Sequence, residues 1–202
     1  MIRIILVNNT LIVLLLIPLI LSFGQDRFSD KKIIKTAQML ERKGDIEGAI
    51  SLYNDILSKD PINRQAVQNL KDIYYKYLMY DQGIQFMRLR MEKEPNDVRT
   101  HCELGELYFL NNQKKDAKVI WYAGLNKFRH NRSYYRIVLS TMARHNLEEE
   151  LSTVVKKGRD NFGKSFLSYE LGTYFQSVGK FETAMDEFIS HLLNEQGYKG
   201  LI

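Results

Sequence analysis

Apolar residues recur along this chain at spacings of three and four, the mark of one face of a helix, and turn residues interrupt the stripe at regular intervals. Ile33, Ala37 and Leu40 form one such stripe, and Gly44-Asp45 breaks it. Glycine relieves the strained backbone that a short turn demands. Ala49, Leu52, Tyr53 and Ile56 form a second stripe, closed by Asp60-Pro61. Proline cannot continue a helix and disfavours helical backbone in the residue before it. About 34 residues further on the pattern returns, with Gly83 in the place of Ala49 and Pro95 in the place of Pro61. Another step brings Leu104-Gly105, Tyr108, Ala117 and Trp121, and the last copy reads Leu171-Gly172, Phe175, Gly179, Ala184 and Phe188. Such a period predicts paired helices that cannot bury their apolar faces alone and therefore stack into an array.

The small residues have a packing reason. Ala37 and Ala49 stand where two helices approach most closely, and Gly105 with Ala117, then Gly172 with Ala184, repeat the small pair. Tyr53, Trp121 and Phe188 supply bulk one turn later, filling the space between neighbouring pairs. All are read as core.

On these residues the chain resembles the tetratricopeptide repeat (TPR) family. Leu104-Gly105, Tyr108, Ala117 and Trp121 match the family pattern, as do Leu171-Gly172, Phe175, Ala184 and Phe188, and Ala37, Leu40, Ala49, Tyr53 and Pro61. The second copy departs at Lys71 and Arg90. The fourth keeps Leu139, Met142, Leu151 and Gly158 but lacks the small residues. The phased units run 30–63, 64–97, 98–131, 132–164 and 165–198, followed by a tail at 199–202. The resemblance implies an all-α fold, a right-handed superhelical α-solenoid of about five TPR-like helix-turn-helix units.

Residues 11–23 are strongly apolar, interrupted only by Pro18 and preceded by Arg3. With Ser22-Phe23-Gly24 ahead of Gln25, this is the layout of a signal peptide over 1–24, followed by a linker at 25–29. The run is shorter than the roughly 20 residues of a spanning helix, the competing reading being an uncleaved anchor. The expected location is outside the cytoplasm, periplasmic or extracellular, with membrane contact only if the segment is retained. The net charge of +5 is spread in short clusters read as solvated helix faces, not as a nucleic-acid footprint. Cys102 is the one cysteine, so no intramolecular disulfide forms and stability must come from helix packing.

In a TPR-like array the first helix of each unit lines a concave groove, so exposed positions there are the candidate partner-binding residues. They are Lys35, Asn69, Asp72, Tyr75, Arg99, Glu103, Glu106, Phe109, Arg136, Arg144 and Tyr169, with Gln38, Cys102, Ser140, Thr173 and Gln176 on the same faces. Tyr75, Phe109 and Tyr169 are the aromatic anchors of that set, or else covers for a neighbouring helix. One TPR subgroup grips the C-terminal carboxylate of chaperone tails. At its five clamp positions this chain has Ile34, Gln38, Asn69, Arg99 and Glu103, and Glu103 would repel a carboxylate, so that role is rejected.

Catalytic apparatus is absent from the sequence. His101, His130, His145 and His191 lie on separate segments, and His101-Cys102-Glu103 point in different directions along a helix. Glu148-Glu149-Glu150 is read as the solvated start of a helix. No metal or other cofactor is expected. The reading is a non-catalytic adaptor for a protein or peptide. The alternatives are a membrane-anchored subunit of an envelope assembly, or the recognition module of a longer, enzymatic protein. Phe175, Phe181, Met185 and Phe188 would leave apolar surface open at the last unit, to be covered by a second copy, a partner or a continuing array.

Overall fold

The stripes and breaks become ten helices among the described residues, with no strand there; the computed structural model describes residues 30–195. The signal-like segment, the linker and the tail lie outside those residues. The chain divides into two compact units, with the boundary in sequence between Met79 and Tyr80.

In the first unit, α1 (30–42) is followed by α2 (Ile46–Lys59) and α3 (Arg64–Lys76). Its core is Ile34, Ala37, Ala49, Tyr53, Ile56, Leu70 and Ile73, with α2 packed on α3. Asp45 caps α2 by accepting from the Gly48 amide, and Asn63 caps α3 by accepting from the Ala66 amide.

The second unit contains α4 (Tyr80–Lys93), α5 (Val98–Leu110), α6 (Lys114–Lys127), α7 (Arg132–Arg144), α8 (Glu148–Phe162), α9 (Ser168–Ser177) and α10 (Phe181–Glu195). Sequential helices pack as α4 on α5, α5 on α6, α6 on α7, α7 on α8 and α9 on α10. The first helices also meet one another, α5 against α7 and α7 against α9. Gly105 on α5 sits so close under Trp121 of α6 that a methyl there would run into the indole. The Trp121 Nε1–H donates to the Cys102 carbonyl at 3.0 Å, and the Tyr134 hydroxyl donates to the Trp121 carbonyl at 3.0 Å. Gly172 plays the same part beneath Phe188.

The turns repeat as strictly as the core. Five backbone bonds of one kind close the turn within each helical pair. They run from the Asp45 amide to Leu40 O, Met79 to Tyr74, Gln113 to Tyr108, Leu147 to Met142 and Lys180 to Phe175. Each is the 6→1 bond of a helix that ends in a left-handed residue. That residue is Gly44, Leu78, Asn112, Asn146 and Gly179 in turn, with φ of 87°, 56°, 60°, 54° and 78°. Between pairs, Asn63, Asp97 and Asn131 each cap the following helix with a side-chain oxygen. The link from α8 to α9 departs: Gly163 and Leu167 take positive φ and no side chain caps α9. The all-α repeat fold follows from these recurring bonds.

The degraded fourth unit is nonetheless well packed. Tyr134, Tyr135, Val138, Leu139, Met142, Leu151 and Val154 are buried. The Tyr135 ring meets Phe162 edge-on at 5.4 Å and Phe166 at 6.0 Å, and Tyr135 and Phe166 both pack closely on the buried Gly158 of α8.

Candidate binding face on the first helices

Because α5, α7 and α9 adjoin, their outward sides form one continuous face in the second unit. Arg99, Ser140, Arg136, Arg144, Tyr169, Thr173 and Gln176 are exposed on it, and Glu103 and Phe109 are half-buried. In the first unit, Lys35 and Asp72 are exposed and Gln38, Asn69 and Tyr75 half-buried. Asp72 accepts from Gln68 at 2.8 Å, and Lys76 of α3 pairs with Glu41 of α1 at 2.8 Å.

Several of these residues are tied to the neighbouring repeat. Glu106 was expected at the surface but is buried, 6% exposed. Its carboxylate accepts from Arg144 at 2.7 Å and lies 2.8 Å from His145 Nε2, both on or just beyond α7. A carboxylate buried at this depth must be paired, and the next repeat supplies the partners. Cys102, also expected on the exposed face, is buried too, its Sγ 3.3 Å from Thr141 Oγ1. Burial pushes its thiol up to about 12, against which the Thr141 contact is a smaller pull. At neutral pH the group is a thiol and a poor nucleophile.

Arg136 of α7 donates to Glu170 of α9 at 2.7 Å. Phe109 covers its neighbours, its ring 4.9 Å from that of His145 and 6.3 Å from Trp121. Glu148 and Glu149 do stand exposed at the start of α8, but Glu150 is buried, where Lys118 of α6 pairs with it at 2.6 Å. Glu148 pairs with Lys180 at 2.6 Å. These ties join residues roughly one repeat apart, so within the second unit they staple the α5–α6, α7–α8 and α9–α10 hairpins in turn. What the ties leave available is Arg99, Ser140, Thr173, Gln176 and, above all, Tyr169, 57% exposed.

His101, Cys102 and Glu103 do not converge. His101 Nδ1 contacts the Asp97 carbonyl at 3.1 Å and its ring meets Phe128 edge-on at 4.8 Å. Burial holds His101 below its ordinary 6.5, and the nearby Lys127 charge adds to that. Among the described residues no group of three His, Cys, Asp or Glu could hold a metal ion. No helix among them is long and apolar enough to cross a membrane.

No family model matches the chain, and no curated protein matches it. Among solved structures it is similar to TTC0263, a thermophilic TPR protein in Thermus thermophilus, at 14% identity over 85% of this chain and 93% of that one, with a TM-score of 0.48. A crystal structure of MamA protein is similar at 16% identity over 86% and 96%, with a TM-score of 0.46. YrrB, a TPR protein with an unusual peptide-binding site, is similar at 15% over 79% and 83%, with a TM-score of 0.41. At such distances the likeness adds nothing to what the chain's own turns and packing establish, an all-α array of TPR-like helical hairpins.

Proposed function

We propose that this protein is a non-catalytic adaptor that docks a protein or peptide across the outward face of α5, α7 and α9. The observation that carries the reading is the exposed Tyr169, set on a face whose remaining polar groups mix charge and hydrogen-bonding types. A large ring with a polar tip is the side chain that anchors partners most often, and mixed neutral and charged neighbours suit a polar peptide surface better than a small metabolite. The ion pairs between hairpins hold that face in register without drawing on Tyr169 or Arg99.

The test compares proteins captured from an envelope extract by wild type and by an Arg99→Glu, Tyr169→Ala double variant. Both positions are exposed, so the variant should fold. Loss of a specific partner from the variant is the expected result, and identical recovery by both would sink the assignment of this face. A location outside the cytoplasm belongs to the same proposal, and the apolar 11–23 segment with Ser22 and Gly24 ahead of Gln25 supports it. N-terminal sequencing of protein recovered from cells should begin at Gln25; a retained Met1 would favour the anchored form.

A further inference from the structure

Large exposed apolar residues elsewhere among the described residues are scattered, but α10 gathers five on one side. Phe181, Met185, Ile189, Leu192 and Leu193 are 68%, 60%, 46%, 54% and 67% exposed. Their spacing places them on one stripe, while on the flank beside it Phe188 packs on Gly172 of α9 and Ala184 is buried. The stripe exposes on the order of 600 Å², the upper end of what a monomer's largest apolar patch shows.

The stripe is not a general requirement of the second helix in a hairpin. Ala117, Leu151 and Ala184 occupy one buried repeat position in α6, α8 and α10. Counted from it, the places of Phe181, Met185 and Leu193 hold Lys114, Lys118 and Asn126 in α6, and Glu148, Ser152 and Asp160 in α8. Those residues stay at or near the surface although α6 and α8 are each followed by another hairpin. A further repeat after α10 would therefore leave Phe181, Met185 and Leu193 uncovered.

We infer that the α10 stripe is a self-association surface on which a second copy of this chain packs its own α10, antiparallel. Two such stripes remove on the order of 1,200 Å² from water, above the roughly 1,000 Å² that a specific interface needs. With the two-fold axis level with residues 186–187, Phe181 lies against Leu192 and Leu193 of the second copy. Met185 lies beside its Ile189. Antiparallel helices also set opposite dipole ends together.

The full chain should show a dimer mass in sedimentation velocity, rising with concentration. A Met185→Lys, Leu193→Asp variant carries polar residues of the kind found at the same places in α6 and α8, so it should keep its helical spectrum. It should associate about a hundredfold more weakly. A wild type that stays monomeric across the series overturns the proposal, as does a folded variant that still forms the dimer. Register is read by disulfide formation: Phe181→Cys mixed with Leu192→Cys should give the crosslinked pair, and Phe181→Cys alone should not. Efficient self-crosslinking of Phe181→Cys would overturn the antiparallel arrangement. Capture of another protein by the stripe with no dimer present would assign it to a foreign partner and likewise overturn it.

Discussion

Trp121 owes its position to a residue with no side chain. Its indole lies against Gly105, and its Nε1–H reaches the Cys102 carbonyl only because the two helices close to that distance. Gly105→Ala should force the indole out, cost about 2–3 kcal/mol, and lower the denaturant midpoint with little change in slope. A variant within error of wild type would show that this contact does not hold the hairpin. The opposite sign is expected at Leu78. It is the one aliphatic residue at the left-handed turn position, φ 56°, and is 68% exposed, so nothing packs its side chain in compensation. The left-handed backbone costs a branched residue about 1–2 kcal/mol, against the roughly 0.5–1 kcal/mol of extra chain entropy that glycine loses on folding. Leu78→Gly should therefore stabilise the protein by about 0.5–1 kcal/mol in the same melts, and a destabilised variant would mean that the leucine makes a contact worth more than the strain.

The helical hairpins were readable from the stripe spacing, because amphipathic periodicity is local and so is the glycine that ends a helix. Gly44 and Gly179 announced two of the five left-handed turns; Asn112 and Asn146 signal the same conformation weakly, and Leu78 not at all. Asn63, Asp97 and Asn131 are of the type and spacing that mark helix caps. Burial of Glu106 and Glu150 was beyond local reading, since the groups that make it tolerable stand a repeat away, on Arg144, His145 and Lys118. The α6–α8 tie has a pH signature. Burial alone would raise the Glu150 carboxyl, but the hydrogen bond from Lys118 and the charges of Lys118 and Lys114 outweigh it and hold the group below its ordinary 4.5. A carboxyl depressed on folding stabilises fully above its ordinary value, and that stability drains as pH falls from there through the lower folded-state value. Wild type should thus lose about 1 kcal/mol more than Glu150→Gln between neutral pH and the acid end of that window. Parallel acid profiles for the two would show that the pair carries no net stability.

At the scale of the whole chain, the sequence period and the compact units do not share a boundary. The period groups 64–97 as one repeat, whereas the contacts divide the chain between Met79 and Tyr80, inside that stretch. The reason lies in where α4 finds its burial. Gly83, Ile84 and Met87 are buried, α4 packs on α5, and Asp81 accepts from Asn111 at the start of the α5–α6 turn at 2.8 Å. In a repeat protein stability is a sum of units and their neighbours, so a fragment that keeps its internal interfaces keeps its cooperativity. A fragment comprising 80–202 should therefore unfold in one cooperative transition, with the emission of its single Trp121 shifting from a buried to a solvated position as it does. Its slope with denaturant should fall roughly in proportion to the surface removed with the first unit. A fragment with solvated tryptophan emission before any denaturant is added would show that α4 depends on the helices before it, and that the hairpin of the sequence period, not the contact boundary, is the folding unit.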